Sequence, residues 1–217
     1  MAGVELRLFP LQTVLFPGMA LPLNVFEDRY RELVAECVEA SEPFGVVLIR
    51  DGEEVGGDAT PYDVGTTARI DSLQTDREGH IQLVAKGERR FRISELHHDR
   101  PYLWAEVAYL DDDGTDVPDS LLAQARERYA SLLRLRTIAS GEYARQIDTP
   151  SNAAKLADTV GAAIAVGSEQ RQELLEQLDV TRRLEMALAL MDESLPVMER
   201  EVQAAMSRRY GDTSRLN

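Results

Sequence analysis

The sequence predicts an α+β protein in which a β-rich first half precedes a helical second half. From Met1 to Asp113 the apolar residues come in short runs separated by turn residues, a pattern typical of strands. After the acidic stretch 111–116 the apolar residues recur every three or four positions, a pattern typical of helices. We therefore expect a boundary at this stretch, with a β-rich domain over residues 1–115 and a helical domain over 116–217.

Seven segments of the first half are predicted to be strands. Ile81, Leu83 and Ala85 alternate with other residues at the period of two expected of a half-buried strand. The turn 76–79 leads into this strand, and residues 87–88 are predicted to be a turn that starts a second hairpin. The predicted strands are Val4–Phe9, Met19–Phe26, Phe44–Arg50, Val64–Leu73, His80–Lys86, Phe91–Leu96 and Tyr102–Leu110.

One helix is predicted among the strands, beginning near Glu27. Its apolar residues recur at intervals of three and four and form a single stripe: Tyr30, Leu33, Val34, Cys37 and Val38. Glu27 and Asp28 fall in the first turn, where negative charge complements the helix dipole. Because Cys37 lies on the apolar stripe, we expect a buried thiol.

Four helices are predicted in the second half. The first covers about residues 118–139, and the second begins at Thr149-Pro150, which supplies a cap followed by proline. Ser168 caps a short third helix, and the last begins near Asp179. Pro196 falls inside this last helix and predicts a kink or a break there.

The composition is that of a globular protein, with 44% hydrophobic and 29% charged residues. The net charge of −14 opposes binding to phosphate backbones and anionic membranes, so nucleic acid is not an expected partner. No run reaches the roughly 18 apolar residues of a membrane helix, and Met1–Pro10 lacks the pattern of a signal peptide. We expect a cytoplasmic protein.

Several motifs resemble the amino-terminal, substrate-binding domains of Lon proteases. The run Phe9–Tyr30 combines a hydrophobic pair before Phe16-Pro17-Gly18 with Leu21-Pro22-Leu23 and a Phe-Glu-x-Arg-Tyr sequence, and it resembles the opening of those domains. Further segments that resemble the family are Val64–Ile70, Val84–Ile93, Tyr102–Leu110, Ser168–Glu176 and Asp179–Leu184.

The resemblance implies a fold and a role. The implied fold is a PUA-like twisted β-barrel with one helix, followed by an antiparallel four-helix bundle. The implied role is that of a stand-alone member of the family that lacks the ATPase and protease modules. Full-length relatives assemble partly through this region, so the resemblance also implies a homodimer.

The sequence does not support an enzyme. It has no Gly-x-x-x-x-Gly-Lys-Ser/Thr motif to hold a nucleotide phosphate. A Ser-Lys dyad would need one of two lysines, and neither Lys86 on a predicted strand nor Lys155 on a predicted helix has the context of an activated nucleophile. We therefore expect no catalytic residues and no cofactor.

Two polar stretches are weighed as metal sites. His97, His98 and Asp99 are consecutive, and neighbours on a strand point to opposite faces, so they predict no shared metal ion. The acidic stretch 111–116 does not fit a calcium loop, because the frame set by Gly114 places tyrosine at the first ligand position and serine at the twelfth. No metal ligands are predicted.

Two hypotheses concern other residues. Arg89, Arg90 and Arg92 form either a salt-bridged face or a phosphate-binding one, and the net charge favours the first. A groove for an unfolded segment is a second hypothesis, because methionine and aromatic side chains suit promiscuous binding. Packing in the core explains the same residues equally well. The candidate groove residues are Phe16, Met19, Tyr30 and Trp104.

The function expected from these observations is a non-catalytic module that binds unfolded or apolar protein segments, or a protease partner. Two alternatives remain open. One is an RNA-binding PUA-like module, and the other is a domain that binds a small molecule.

Overall fold

A computed structural model describes residues 3–54, 59–77, 80–114, 116–140 and 149–211. The strands are β1 (Val4–Leu11), β2 (Ala20–Val25), β3 (Phe44–Asp51), β4 (Thr60–Pro61), β5 (Val64–Thr75), β6 (Ile81–His97) and β7 (Trp104–Leu110). The helices are α1 (Asp28–Ala40), α2 (Asp119–Ser140), α3 (Ala153–Ala163), α4 (Ser168–Glu176) and α5 (Val180–Gly211). The fold class is therefore α+β, a mostly antiparallel sheet with five helices.

The strands pair in the order β1-β7-β6-β5-β3-β4, and β1 pairs in parallel with β3. This parallel pairing closes β1, β7, β6, β5 and β3 into a ring, while β2 extends the sheet from β6. Each of these five strands therefore pairs with two other strands of the ring.

The sheet has a hydrophobic cluster on each face. Leu8 and Val47 belong to one cluster, and their chain neighbours Phe9 and Val46 belong to the other, as the alternation of side chains along a strand requires. Helix α1 covers the second cluster with four of the five residues of the predicted apolar stripe, and Cys37 is one of them. The fifth, Val38, is exposed, so the prediction is wrong at this position. The prediction of a buried thiol is confirmed.

Strand β6 is a single strand of 17 residues, so the predicted turn at residues 87–88 is wrong. Gly87 continues the strand without a turn. Because Gly87 has no side chain, the backbone oxygen of Phe16 can approach it closely. Its amide donates to Met19 O at 2.9 Å, and its carbonyl accepts from the amide of Gly18 at 2.8 Å. The glycine that suggests a turn in the sequence marks a close approach of two backbones instead.

The helices differ from the prediction in three places. Helix α4 begins at Ser168, and its N-cap residue is Gly167 rather than Ser168. Helix α3 starts at Ala153 rather than at Pro150, with the Asn152 side chain accepting from the amide of Lys155 at 2.9 Å. Helix α5 continues through Pro196, so the predicted break at this residue is absent.

The contacts within the chain define two units. The sheet unit is Met1–Asp113 with Gly167–Leu178, and the helical unit is Gly114–Val166 with Asp179–Asn217. Helix α4 thus groups with the sheet, so the helical unit contains three of the four helices predicted for it. The boundary between independently folding domains at residue 115 stays a prediction.

Each unit contains a buried arginine paired with an acid. In the helical unit Arg183 of α5 is fully buried and lies 3.4 Å from Asp158 of α3. In the sheet unit Arg90 is 3% exposed, pairs with Asp112 at 3.3 Å and donates to the main-chain oxygen of Leu175 at 2.8 Å. Removing either partner of such a buried ion pair should destabilise the fold, because the remaining charge would be buried in the protein interior without a partner.

Candidate functional site

Strand β2 has one edge that no other strand covers within the described ranges of the chain. Its other edge pairs with β6 over its full length, from Ala20 opposite Lys86 to Val25 opposite Ile81. Pro22 has no backbone N–H, so the free edge offers one donor fewer than a regular strand. An edge of this kind can accept an added strand while resisting extended edge-to-edge pairing.

A groove of about 280 Å³ runs beside β2. We call it the β2 groove, and it is lined by Phe9, Leu11, Pro22, Leu23, Asn24, Val25, Phe26, Glu27, Tyr30 and Glu54. Most of these side chains are apolar or aromatic, and all of them belong to the sheet unit. Because several of the apolar residues are almost fully buried, the accessible lining is nearly as polar as it is apolar, and it can bind a protein segment through contacts of both kinds.

Two stacked aromatic rings lie in the wall of the β2 groove. The centroids of Phe9 and Tyr30 are 4.1 Å apart with an angle of 12° between the ring planes. The guanidinium of Arg29 lies 4.5 Å from the centroid of the Tyr30 ring. Burial raises the pKa of Tyr30 to about 12, so its hydroxyl stays neutral across the physiological range.

The rim of the β2 groove carries charge and one exposed aromatic side chain. Arg29 pairs with Glu27 at 3.0 Å and donates to the main-chain oxygen of Glu54 at 3.3 Å. Phe26, between the end of β2 and helix α1, leaves 53% of its surface exposed. Such a half-exposed aromatic side chain beside a groove would bury additional apolar surface when a partner binds.

The structure places the four predicted groove residues in different surroundings. Tyr30 lines the β2 groove although it is only 4% exposed. Phe16 is completely buried, and Met19 and Trp104 are partly buried against the cluster under α1. Trp104 also stacks on His97, with ring centroids 4.0 Å apart. A binding role for these four residues stays a prediction, and of the four Tyr30 lines the β2 groove.

Phe26 was not among the predicted groove residues. The sequence predicted it as the last residue of the strand Met19–Phe26. In the structure β2 ends at Val25 and α1 begins at Asp28, so Phe26 lies between the two elements, and its side chain is half exposed.

Two of the three arginines that the sequence suggested as a phosphate site have acidic partners. Arg89 lies 3.2 Å from Asp111 and 4.2 Å from the ring centroid of Tyr109, and buried Arg90 pairs with Asp112. The acidic stretch that follows β7 therefore neutralises Arg89 and Arg90. Because Arg89 is exposed and Arg90 is buried, the two do not form one face, and the choice between a salt-bridged face and a phosphate-binding one stays a prediction.

A second polar cluster joins β1, α1 and the segment before β7. Glu36 accepts from the Tyr102 hydroxyl at 2.6 Å and from Arg7 Nε at 2.8 Å. These two contacts, first the hydrogen bond from Tyr102, lower the pKa of Glu36 below its ordinary value. Burial raises the pKa of the neighbouring Cys37 to about 11, so this thiol is a poor nucleophile.

Comparison with known proteins agrees with the fold. Residues 5–193 match the family model of the ATP-dependent protease La (LON) substrate-binding domain. The crystal structure of a Lon N-terminal domain protein from Xanthomonas campestris is similar to this chain with a TM-score of 0.68 and 31% identity, covering 86% of this chain and 98% of that one. The N-terminal domain of Lon protease from the Mycobacterium avium complex shares the fold, with a TM-score of 0.66 and 23% identity over 87% of this chain and 98% of that one.

Among curated proteins, the Lon protease of Paraburkholderia phytofirmans is 33% identical over 84% of this chain and 23% of its own length. The Lon protease of Anaeromyxobacter dehalogenans is 28% identical over 97% of this chain and 26% of its own length. The fold is that of a Lon N-terminal domain. The chain belongs to the Lon substrate-binding domain family, and it spans about a quarter of the length of these relatives.

No helix in the described parts of the chain combines the length and apolar character that crossing a membrane requires.

Proposed function

We propose that this chain is a non-catalytic module that recognises apolar segments of other protein chains, and that the β2 groove is its binding site. The single observation that carries the proposal is the free edge of β2 beside the β2 groove with the half-exposed Phe26 at its rim. Family membership supports a role in substrate recognition.

The proposed binding mode combines main-chain and side-chain contacts. An extended segment would add to the free edge of β2, where backbone hydrogen bonds give affinity without regard to sequence. Alternate side chains of that segment would point into the groove, toward Leu23 and the stacked pair of Phe9 and Tyr30. Selection for apolar character would follow from the apolar part of the lining, and an unfolded chain is the usual source of a free apolar strand.

The ring of β1, β7, β6, β5 and β3 supports the description of the sheet unit as a PUA-like barrel. A closed ring that contains one parallel pair and is covered by one helix is what a PUA-like barrel would show. We propose this description for the sheet unit. Other PUA-like domains bind RNA, but the net charge of −14 and the acidic partners of Arg89 and Arg90 support a protein ligand here.

The test measures binding of a fluorescent, permanently unfolded model protein to the chain, with its folded form as a second probe. Phe26→Ala is the test variant. Val38→Ala is the matched control, since both side chains are 53% exposed and Val38 does not line the groove. We expect wild type and V38A to bind equally, and F26A to bind about tenfold more weakly because it loses apolar contact area.

The salt dependence separates this mode from electrostatic binding. Apolar contacts and backbone hydrogen bonds predict saturable binding that changes little between low and high salt. No binding of the unfolded protein by wild type, or equal losses in F26A and V38A, would refute the proposed site.

A further inference from the structure

Strand pairing brings three metal-ligating side chains together on one face of the sheet. In the ladder of β6 and β7, Glu95 lies opposite Glu106, and His97 lies opposite Trp104. One ring nitrogen of His97 and one carboxylate oxygen from each of the two glutamates lie within 4.8 Å of one another. The donor atoms of one tetrahedral Zn²⁺ lie about 3.4 Å apart, because each bond is about 2.0–2.2 Å long, so side-chain rotations would have to bring these three atoms closer to bind one ion.

A β-bulge produces this arrangement. The register of β6 against β7 shifts between Ile93 and Glu95. Ile93 packs against the cluster that contains Val107, its partner in the ladder, so both face that cluster. The extra residue turns Glu95 to the opposite face, where Glu106 lies, and bulges commonly re-aim side chains in this way. Consecutive histidines could not form this site, but residues from two strands can.

The two glutamates lack a cationic partner in the part of the chain that the structure describes. Glu5 of β1 also lies opposite Glu106, so three carboxylates stand in a row across β1, β7 and β6. Arg100 pairs with Glu5 at 2.7 Å, and no ion pair to Glu95 or Glu106 occurs among the described residues. Like charges opposite one another destabilise a sheet, and a divalent cation would relieve that repulsion.

The imidazole of His97 is held in a defined plane. It stacks on the indole of Trp104, with an angle of 12° between the planes, and the indole nitrogen donates to Asp99 at 2.6 Å. The Nε2 atom of His97 is screened from solvent and has no hydrogen-bond partner among the described residues. An oriented imidazole with an unsatisfied nitrogen is typical of a metal ligand.

We propose that Glu95, His97 and Glu106 form a binding site for a divalent transition-metal ion of the Zn²⁺ type. The imidazole favours Zn²⁺, Ni²⁺ or Co²⁺ over Mg²⁺ and Ca²⁺, which prefer oxygen ligands. Three protein ligands leave a fourth position for water or for a group from a partner. The ion would cross-link β6 and β7, and it is independent of the β2 groove.

Titration calorimetry with Zn²⁺ on untagged protein, freed of metal by a chelator, tests the site. The isosteric changes Glu95→Gln and Glu106→Gln keep the side-chain volume and the His97 stack. We expect wild type to bind one Zn²⁺, and each variant to bind it at least about tenfold more weakly. His80→Gln is the matched control, since His80 is also a surface histidine beside a carboxylate, 3.0 Å from Asp76.

Trp104 provides a local readout, since it is the only tryptophan in the chain. Co²⁺ or Ni²⁺ held by His97, whose ring is stacked on the indole, should quench tryptophan fluorescence in wild type and H80Q but much less in E106Q. The inference is overturned if E95Q and E106Q bind Zn²⁺ as wild type does, if H80Q alone abolishes binding, or if Mg²⁺ binds as tightly as Zn²⁺.

Discussion

Arg90 of strand β6 donates from Nε to the main-chain oxygen of Leu175 in helix α4 at a distance of 2.8 Å. The two residues are 85 positions apart in the sequence. The guanidinium satisfies a carbonyl near the end of a short helix and holds that helix on the sheet. Arg171 and Gln172 of the same helix donate to the main-chain oxygens of Val14 and Val64.

Loss of the Arg90 guanidinium should therefore destabilise the sheet unit. In Arg90→Met the volume is nearly kept, but the Leu175 oxygen and the Asp112 carboxylate lose their partner. We expect the free energy of unfolding in urea to fall by about 3 kcal/mol. Arg89→Met is the control, since its pair with Asp111 is exposed, and it should cost less than about 1 kcal/mol. Equal losses in the two variants would contradict the role of Arg90.

A side chain at position 87 should be poorly tolerated. A Cβ added at Gly87 would collide with the backbone oxygen of Phe16, which cannot move without breaking the local hydrogen bonds. We expect Gly87→Ala to lower the free energy of unfolding by roughly 2–3 kcal/mol. Gly167→Ala should change it by less than about 1 kcal/mol, since the nearest atom is Gln170 Oε1 at 3.8 Å. A thermal melt of each variant checks both.

The buried thiol predicts a loss of stability at alkaline pH. The pKa of Cys37 is about 11 in the folded chain against an ordinary value of 9.0, so the fold prefers the neutral thiol. The buried neutral thiol therefore contributes up to about 2–3 kcal/mol to the free energy of unfolding. This contribution is fully present below pH 9 and is lost as the pH rises from 9 to 11. Cys37→Ser should remove this part of the pH dependence. Parallel urea curves for the two proteins from pH 8 to 11 would contradict it.

Glu36 predicts the opposite dependence in acid. Its pKa in the folded state lies below the ordinary value of 4.5, so the charged form is favoured by folding. This contribution is complete above the unfolded pKa and is lost as the pH falls through the folded one. Tyr102→Phe removes the hydroxyl that contributes most. We expect NMR titration to show a higher pKa for Glu36 in Y102F, and the stability difference from wild type to shrink between pH 7 and pH 3.

Short-range patterns in the sequence were enough to find most elements. Short apolar runs between turn residues located every strand of the described ranges except β4, which has only two residues. The stripe on α1 identified most of its buried face, including Cys37. The continuity of β6 and its bulge could not be predicted, because both depend on which strands cross it. The sequence alone predicts a turn at Gly87, and only the position of Phe16 in the structure explains why a glycine lies within the strand. Register is a property of pairs of strands, and periodicity describes one strand at a time.

The groove was predictable only in part, for a related reason. Tyr30 follows from the helix pattern, but it belongs to a groove only because β2 leaves one edge uncovered in the described structure. Phe16 has the composition expected of a binding residue and is completely buried. Composition does not distinguish a buried aromatic residue from an exposed one, and the position of Phe26 between two elements became clear only once the structure ended β2 at Val25.

The path of the chain between the two units limits how they can be separated. The chain passes from one unit to the other at residues 113–114, 166–167 and 178–179. A single cut by a protease at the first crossing would leave both units joined through the other two. Deletion from the C-terminal end cannot isolate the sheet unit either. A fragment of residues 1–115 omits the helix that carries Arg171 and Gln172, and a fragment of residues 1–178 keeps residues 114–166 of the helical unit. An expressible version of the sheet unit would need its α4 segment spliced back by an engineered linker.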